Sequence, residues 1–355
     1  MKNATFMKYL FVGLLALSLL CSGSAQAQEY RYRYVSLDEV AQSNGFTNFD
    51  ASVVKGSGRV YGTVYDDAGL PRIAIYAHGA LTVLEPIAFF GGVGYGAIGA
   101  SLLIDPENFV LEPALLRGNK VEPLPCPPDV FLCFFGGFAA SGDPLVDTFD
   151  ADFNETLFVY DKGQLTPYIP VQPPLDNFDI TGANKHDIVC GRTVDESGNH
   201  RGFWFNRRNG ELKLLDPLAT EPHSWAMDIN NRDQVLGYSF SFSGIERIGV
   251  WSREGKFKTY FVEGTPEFPT ISNRLLFNDN NLILITLVTS PAAERDNTYL
   301  VPKPGVRYNL ADLVENLPAG PGPLWWIVGL NNHGDIIGFN RNSEDFLLER
   351  IGADN

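Results

Sequence analysis

The feature that most constrains the fold of this chain is an internal repeat built around an asparagine-containing turn. Four nine-residue segments align: ANKHDIVCG ending at Gly191, INNRDQVLG at Gly237, FNDNNLILI at Ile285 and LNNHGDIIG at Gly338. In each segment an Asn stands seven positions before the last residue, at Asn184, Asn230, Asn278 and Asn331. Successive Asn lie 46, 48 and 53 residues apart, which indicates one structural unit repeated along the chain.

Earlier segments extend this series towards the N-terminus. VKGSGRVYG, ending at Gly62, fits with Lys55 in the Asn column, and GGVGYGAIG, ending at Gly99, fits more loosely with Gly92 there. A further unit around Gly136 to Gly142 is needed to fill the gap before the fourth unit. The repeat therefore covers most of the chain beyond its N-terminal segment.

Each unit reads as four short antiparallel strands. In the fourth unit, Asp195-Glu196-Ser197-Gly198 is a turn before a strand at 201–206, and Asn209-Gly210 suits a hairpin turn before a strand at 212–215. Four strands repeated every 40–50 residues or so are typical of a β-propeller blade. We therefore predict an all-β fold with seven blades, six or eight remaining possible. The seven blades start near Asp50, Ile87, Phe131, Asp179, Trp225, Asn273 and Trp326.

The last unit lacks a fourth strand before the chain ends. Residues from Tyr30 to Val40 read as a strand that belongs to no complete unit. Pairing of this strand with Phe346 to Arg350 would complete the last blade and remove an open sheet edge. We predict that the N-terminal strand closes the ring in this way.

The units resemble the HAF repeats of bacterial exported proteins. The segments WAMDINNRDQVLGY (225–238) and IVGLNNHGDIIGF (327–339) match the first part of the family pattern, an apolar strand followed by Asn-Asn-x-Gly and Val-Val-Gly. His200-Arg201-Gly202-Phe203-Trp204 is the nearest approach to the His-Ala-Phe tripeptide, which is not present literally. The resemblance implies an exported, propeller-like protein and transfers no catalytic residue.

The N-terminus has the pattern of a secretory signal. Lys2 and Lys8 precede an uncharged apolar stretch from Tyr9 to Leu20, and Ala25-Gln26-Ala27 supplies a small-x-small cleavage site. We predict cleavage after Ala27, a single domain at 28–355, and a secreted or periplasmic protein. Lipidation at Cys21 is the alternative, and Leu20 before it is larger than a lipoprotein signal prefers. No later segment is apolar for long enough to suggest a membrane span.

Charge and cysteine content narrow the classes of partner. The formal net charge is −15, so phosphate backbones would be repelled and nucleic-acid binding is not expected. Cys126 and Cys133 bracket a Pro-rich loop and would form a disulfide in an oxidising compartment. Cys190 lies in an apolar run and is expected to be a buried thiol. We expect a monomer.

Motifs of catalysis or cofactor binding are missing from the sequence. There is no Gly-x-Ser-x-Gly elbow, no phosphate-binding loop and no His-Glu-x-x-His, so no cofactor and no metal are predicted. Asp150-x-Asp152-x-Asn154 resembles the start of a calcium loop but departs from it at later positions, so we interpret it as a turn. The five His fall in predicted turns and are interpreted as solvated.

One column of the repeat contains the candidate site. Twelve positions before the repeat Gly, where each inner strand begins, the chain has Asp50, Ile87, Asp179, Trp225, Asn273 and Trp326. The loops that lead into these strands are long and Pro-rich, and Trp325 lies in one of them. Because long loops on a rigid scaffold commonly carry binding residues, we predict ligand binding by Asp50, Asp179, Trp225, Asn273, Trp325 and Trp326. The structural alternative is that these residues start strands and pack between blades.

Three functions fit the candidate site. The first is a non-catalytic module that binds a carbohydrate, peptide or protein on the loop side, because aromatic rings, carboxylates and an amide suit such ligands. The second is a glycosidase-like hydrolase that uses Asp50 and Asp179, which requires carboxyl groups within about 9.5 Å of each other. The third is a structural surface protein without a concave pocket.

Overall fold

Antiparallel pairing between strands that follow one another in the sequence generates almost the whole fold. The computed structural model describes residues 30–351 except 57, 95–96, 118–119, 140, 169–170, 242–245, 264–270, 289–297, 320–321 and 323. The predicted signal segment at 1–27, including Cys21, lies outside the described residues. Within them, four sheets have four antiparallel strands, one has seven strands, and one has five strands with a single parallel pair. We number the repeated four-stranded units as blades along the chain.

The first two blades form one continuous seven-stranded sheet, because the long strand β5 belongs to both. Its strands are β2 (Phe49–Lys55), β3 (Arg59–Tyr65), β4 (Pro71–Ala77), β5 (Ala80–Gly94), β6 (Ala97–Asp105), β7 (Val110–Arg117) and β8 (Lys120–Pro123). Blade 3 consists of β9 (Leu132–Phe138), β10 (Pro144–Phe149), β11 (Glu155–Asp161) and β12 (Gln164–Pro167).

Blades 4 to 6 follow the repeat predicted from the sequence. Blade 4 has β13 (Asp179–Ala183), β14 (Ile188–Val194), β15 (His200–Asn206) and β16 (Glu211–Leu215). Blade 5 has β17 (His223–Ile229), β18 (Val235–Phe240), β19 (Glu246–Trp251) and β20 (Phe257–Glu263). Blade 6 has β21 (Ile271–Phe277), β22 (Ile283–Val288), β23 (Thr298–Lys303) and β24 (Val306–Asn309), followed by a 3₁₀ turn at Leu310–Leu313 and β25 (Val314–Glu315).

The last blade combines both ends of the described chain. Its strands β26 (Trp326–Leu330), β27 (Ile336–Phe339) and β28 (Asp345–Ile351) are completed by the N-terminal strand β1 (Arg31–Ser36). The pairing of β1 with β28 is antiparallel, from Arg31 opposite Ile351 to Ser36 opposite Phe346, as the sequence predicts. This pairing and the order of the sheets support a closed ring of seven blades, which stays our prediction for the whole molecule.

The N-terminal strand is shorter than predicted. The prediction extended it to Val40, but the strand ends at Ser36 and helix α1 (Leu37–Ser43) begins there. The Ser36 hydroxyl accepts a hydrogen bond from the backbone N–H of Glu39, which caps the first turn of the helix. Leu37 and Ala41 then bury against blade 1, so local capping and packing override the strand pattern.

The inner strands carry a bulge in every blade that the structure describes. In each blade, one residue of the first strand has no residue opposite it on the second strand. Such a bulge increases the local twist and changes the direction of a side chain. These residues are Ser52, Gly91, Gly136, Thr181, Met227, Asn273 and Val328.

The apolar core lies between the faces of neighbouring blades. Between blades 5 and 6, for example, Tyr238 and Phe261 pack in one cluster with Phe277 and Ile283. Tyr32 of the N-terminal strand is fully buried in the cluster between blades 6 and 7. Each blade therefore gains its stability from its neighbours, which is how repeat folds bury surfaces that a single unit leaves exposed.

Candidate functional site

The repeat gives the propeller two different faces. The Asn turns, which join first to second strands, lie on one face together with the turns between third and fourth strands; we call this the Asn-turn face. The opposite face contains the connections between blades and the turns between second and third strands; we call this the loop face. Each inner strand begins at the loop face, so the predicted site residues lie there.

The repeated Asn side chains join neighbouring blades. The Nδ2 atom of Asn184 donates to the carbonyl of Asn230 at 2.9 Å, and that of Asn230 donates to the carbonyl of Asn278 at 3.3 Å. Asn278 donates to Asn331 at 2.9 Å, and Asn331 donates to Gly56 of blade 1 at 2.7 Å. The Asn column is thus a ladder of hydrogen bonds from blade to blade, which supports the structural interpretation of these residues.

Each Asn also fixes its own turn. In blade 5, Oδ1 of Asn230 accepts hydrogen bonds from the backbone N–H groups of Arg232 and Gln234. The left-handed residue is Asp233, with φ of 61°, three positions after the Asn. Asn230 is only 4% exposed, and both ends of its amide are hydrogen-bonded, which a buried amide requires.

The repeat Gly is required by a close approach of two strands. A Cβ atom at Gly237 would lie 1.9 Å from the carbonyl oxygen of Trp225, and one at Gly191 would lie 2.0 Å from that of Asp179. Both carbonyls belong to the column of predicted site residues. In blade 6 the bulge at Asn273 lies two residues further from the Asn turn than that of blade 5, and Ile285 occupies the Gly position.

A cavity of about 490 Å³ opens on the loop face between the first and last blades. The predicted site residue Asp50 lines it, together with the aromatic rings of Tyr65 and Phe339 and the carboxyl group of Asp345. The remaining lining residues are Asn48, Ala51, Val328 and Ser343. Carboxylates, rings, an amide and a hydroxyl therefore converge in one concave site, as small-molecule sites require.

A third carboxyl group forms hydrogen bonds with residues in and next to this cavity. Asp38 is 6% exposed and accepts hydrogen bonds from the backbone N–H of Phe49, at 2.8 Å, and from that of Asp345. It thereby ties α1 to the first strand of blade 1 and to the last strand of the chain. Sequence analysis missed Asp38 and Asp345; the signal that could have found Asp38 is its place in the first turn of a Ser36-capped helix.

Burial and mutual repulsion perturb these acids. Burial raises the pKa of Asp345 to about 8, and the charges of Asp38 and Asp50 add to the effect. Burial also raises the pKa of Asp50 and that of Asp38. The pKa of Tyr65 is raised by burial and by the neighbouring charge of Asp50. The cavity therefore binds protons near neutral pH, and its charge changes with pH.

Asp179 lies in a different environment. Its carboxylate pairs with Arg192 at 2.9 Å, its side chain is 66% exposed, and it does not line the cavity that contains Asp50. Asp50 instead has Asp345 as its companion in that cavity. The carboxylate pair predicted for a hydrolase is therefore not assembled in this cavity.

Trp225 packs between blades 4 and 5. Its half-buried ring lies 5.0 Å from that of Phe240 and 5.5 Å from that of His200, and the Arg192 guanidinium stands over it at 5.4 Å. His200 N–H donates to Nδ1 of His223 at 3.2 Å. The prediction that all five His lie in turns is wrong for this pair, since His200 begins β15 and His223 begins β17, both as strand residues.

The other predicted residues differ in exposure. Trp326 is half-buried, its ring stacks on that of Phe339 with centroids 6.4 Å apart, and it does not line the cavity. Trp325 is 44% exposed, with the Arg341 guanidinium 4.6 Å from its ring centroid. Asn273 occupies the bulge of β21, and its side chain lies outside the described residues.

The predicted disulfide is present. Cys126 and Cys133 are joined, with Cα atoms 6.2 Å apart, and Cys190 is a buried free thiol as predicted. The bridge fixes the loop between blades 2 and 3 on the loop face.

The calcium-like segment forms a turn, as we interpreted it from the sequence. Asp150 accepts backbone hydrogen bonds from Asp152 and Asn154, the arrangement of an Asx turn.

The Asn-turn face has a second cavity, of about 700 Å³. Its walls include Asn231, Asp279 and Asn332, which bond to one another: Asn231 and Asn332 both donate to the Asp279 carboxylate. Many of its polar groups are therefore occupied by contacts between blades.

No helix in the described part of the chain has the length and apolar character needed to cross a membrane.

Comparisons with solved structures show the β-propeller fold and nothing finer. The structure of YCF48 bound to a D1 peptide has a TM-score of 0.50 and 9% identity, over 91% of this chain and 96% of that one. The β-propeller domain of the Trilobed protease from Pyrococcus furiosus, of open velcro topology, has a TM-score of 0.47 and 12% identity, over 87% and 99%.

An acylaminoacyl peptidase from Pyrococcus horikoshii has a TM-score of 0.49 and 14% identity, over 90% of this chain and 54% of that one. The chain therefore spans about half the length of that peptidase. No protein-family model matches the chain, and no curated protein sequence matches it.

Proposed function

We propose that this protein is an exported, non-catalytic β-propeller that binds a ligand on its loop face, in the cavity between the first and last blades. One observation carries the proposal: the cavity combines two carboxyl groups, Asp50 and Asp345, with the rings of Tyr65 and Phe339. The Asn-turn face is a weaker candidate because the polar walls of its cavity bond to one another.

The lining chemistry suits a carbohydrate best. Sugar hydroxyls donate to carboxylates, and the C–H face of a sugar ring packs on an aromatic face. Asn48 and Ser343 add an amide and a hydroxyl that both donate and accept. A peptide segment presenting hydroxyl or amine groups is the other ligand class that such a lining accepts.

Export rests on the N-terminal pattern and on the disulfide. The segment from Lys2 to Ala27 has the charge and apolar order of a cleaved signal, and the Cys126–Cys133 bridge is compatible with an oxidising compartment. The HAF-repeat resemblance favours the same location. Mass measurement of the protein recovered from a secreting host tests this proposal: we expect a chain that begins at Gln28.

One observation favours a second candidate function, hydrolysis. Asp345 has a pKa raised to about 8 and lies beside Asp50 in a cavity, a combination that suits a general acid and a second carboxylate. The pair would then be Asp50 and Asp345 rather than Asp50 and Asp179. Turnover of aryl glycosides by the full chain, lost in Asp345→Asn, would favour this candidate over binding alone.

A glycan array tests the binding proposal. The full chain and the variants Tyr65→Ala and Asp50→Asn are compared at one concentration, and affinities for the recovered glycans are then measured by calorimetry. We expect each variant to weaken binding about tenfold or more, because one stacking ring or one acceptor is lost. Lys185→Ala, on the Asn-turn face, is the matched control and should bind as the unmodified chain does. Equal loss in the control, or absence of any glycan ligand, would contradict a carbohydrate site in this cavity.

A further inference from the structure

Blades 2 and 3 expose aromatic rings at the loop face. Phe109, Phe131 and Phe153 are 53%, 61% and 66% exposed. Their rings form pairs: Phe89 with Phe109 at 5.9 Å, and Phe131 with Phe153 edge-to-face at 5.6 Å. We call these four residues the aromatic patch. They lie on different blades from the cavity described above, so the patch is separate from the proposed ligand site.

The backbone at Phe153 is unusual for such a side chain. Phe153 has φ of 62°, a left-handed conformation that bulky residues rarely adopt. The equivalent position of the same turn is Gly198 in blade 4 and Gly69 in blade 1, with φ of 79° and 75°. In blade 2 the left-handed residue is Phe109, with φ of 52°, one position later in its turn. Blade 3 therefore places an exposed phenyl ring where blades 1 and 4 use glycine and blade 7 uses Ser343, with φ of 62°.

The turns between the second and third strands of blades 3 and 4 have the same hydrogen bonds. Oδ1 of Asp150 accepts from the backbone N–H groups of Asp152 and Asn154, just as Asp195 of blade 4 accepts from Ser197 and Asn199. A glycine would satisfy this turn without strain. The phenyl ring of Phe153 is thus not needed for the fold of the turn, which points to a role outside the fold.

The charge around the patch is strongly one-sided. Residues 80–167, which span blades 2 and 3, contain twelve Asp or Glu and three basic residues, Arg117, Lys120 and Lys162. All three basic residues lie at turns between third and fourth strands, on the Asn-turn face. Beside the patch, Glu107, Asp129 and Asp152 are exposed. The patch is therefore an apolar surface within a negative field.

The inter-blade loop that carries Phe131 is held in place covalently. The Cys126–Cys133 bridge closes the loop that ends beside Phe131, and Phe131 N–H donates to the carbonyl of Phe149 at 2.8 Å. A surface held in one arrangement loses less conformational entropy on binding.

We propose that the aromatic patch docks a segment of a partner protein whose apolar side chains are flanked by lysine or arginine. Burial of the exposed rings supplies the apolar contact, the acidic rim attracts the flanking cations, and an arginine can also stack on a phenyl face. A neutral sugar would gain no charge attraction from the rim, and an acidic partner would be repelled by it. This interaction is independent of the ligand proposed for the cavity.

A random-peptide display library tests directly which peptide chemistry the aromatic patch binds. The library is selected on the immobilised full chain, and the affinities of recovered peptides are then measured at low and high salt. Recovered peptides should be enriched in Lys or Arg next to aromatic or aliphatic residues. Their affinity should fall as salt rises, because the rim contacts are exposed.

Phe153→Gly is the decisive variant. It restores the residue used by blades 1 and 4, so its melting temperature should stay equal or rise, while affinity for the peptides falls about tenfold or more. Val262→Ser removes an exposed apolar side chain (52% exposed) from blade 5 and should leave the affinity unchanged. Combined replacement of Glu107, Asp129 and Asp152 by their amides should weaken binding and flatten the salt dependence.

Several outcomes would overturn the proposal. Recovery of no peptide, or of peptides without basic residues, would contradict the chemistry of the partner. Unchanged affinity in Phe153→Gly would place the binding elsewhere. A glycan bound by the full chain and lost in Phe153→Gly, but retained in Tyr65→Ala, would assign the patch to a carbohydrate instead. Because the cavity variants and the patch variants are distinct, failure of one proposal leaves the other testable.

Discussion

At the scale of single residues, the molecule depends on buried polar side chains whose partners belong to other blades. Asn278 is an example: it is 4% exposed, accepts backbone hydrogen bonds within its own turn and donates to the carbonyl of Asn331 in the next blade. Such a residue carries both a local and a long-range bond. Its replacement therefore affects two blades together.

Replacement of Asn278 by Ala tests this ladder. Three hydrogen bonds are lost and buried backbone groups are left unsatisfied, so the free energy of unfolding should fall by about 2–4 kcal/mol. Asn209→Ala is the matched control: Asn209 also accepts a backbone hydrogen bond, but at an exposed hairpin, and the loss should stay below about 1 kcal/mol. Denaturant unfolding measures both; equal losses would show that the ladder adds no stability.

Replacement of Asp345 by Asn tests the acid cluster. The folded pKa of Asp345, about 8, lies above its unfolded value, so the folded state keeps a proton that the unfolded state releases. The folded state therefore loses stability as pH rises from about 4 to 8. The amide cannot ionise, so Asp345→Asn should melt a few degrees higher than the unmodified chain at about pH 8 and equally at about pH 4. A lower melting temperature at the higher pH would show that the ionised carboxylate is stabilising.

At the scale of elements, the N-terminal strand is the one that joins the two ends of the described chain. Tyr32 of this strand is fully buried in the core between blades 6 and 7. Its hydroxyl finds no hydrogen-bond partner among the described residues. Packing of the ring, rather than its polar group, is therefore what the strand contributes at this position.

Tyr32→Ala and Tyr32→Phe separate these contributions. Loss of the ring should reduce the free energy of unfolding by about 3–5 kcal/mol in a single cooperative transition, since the strand completes the last blade. Tyr32→Phe keeps the ring and should leave stability unchanged or raise it. A small effect of Tyr32→Ala, or a separate early transition, would indicate that the strand frays without affecting the ring.

The disulfide is the second element with a measurable contribution. The Cys126–Cys133 bridge closes a loop with a sequence separation of 7, and paired replacement by Ser should cost about 2–3 kcal/mol by the loop-entropy model. Intact mass should rise by two hydrogens on reduction. If mass is unchanged by reductant, the bridge does not form in the expressed protein.

Elements defined by local sequence were predicted well, and those defined by distant contacts less well. The Asn turns and the strand predicted at 201–206 follow from a pattern within a few residues, and the pairing of β1 with β28 followed from counting strands. The strand β1 was predicted to extend too far because Ser36 caps helix α1 and so ends the strand. Spacing along the chain identified the repeat but not the bulges, which depend on how two strands meet.

The candidate site shows the same division. Asp50 was predicted from its column in the repeat, and it lines a concave surface in the structure; its role in binding stays a prediction. Asp345 and Asp38 were missed because α1 and β28 meet Asp50 only after β1 pairs with β28, more than 300 residues away in sequence. Trp225 was predicted as a ligand contact, yet it is surrounded by the ring of Phe240 in its own blade and by Arg192 of the preceding blade.

At the scale of the whole molecule, our account gives the two faces different roles: one face holds the blades together and the other binds ligands. The Asn-turn face holds neighbouring blades together through a ladder of amides. The loop face carries the cavity with Asp50 and Asp345 and, on other blades, the aromatic patch. The central claim is therefore that binding takes place on the loop face.

Hydrogen exchange with and without a bound glycan tests this claim most directly. The account predicts slower exchange in peptides that cover 48–65 and 339–345, at the loop-face cavity, when the glycan is added. Peptides that cover the Asn turns at 184–187, 230–233, 278–281 and 331–334 should exchange at unchanged rates. Protection of the Asn turns, with unchanged exchange around Asp50 and Asp345, would contradict the account and place the ligand on the opposite face.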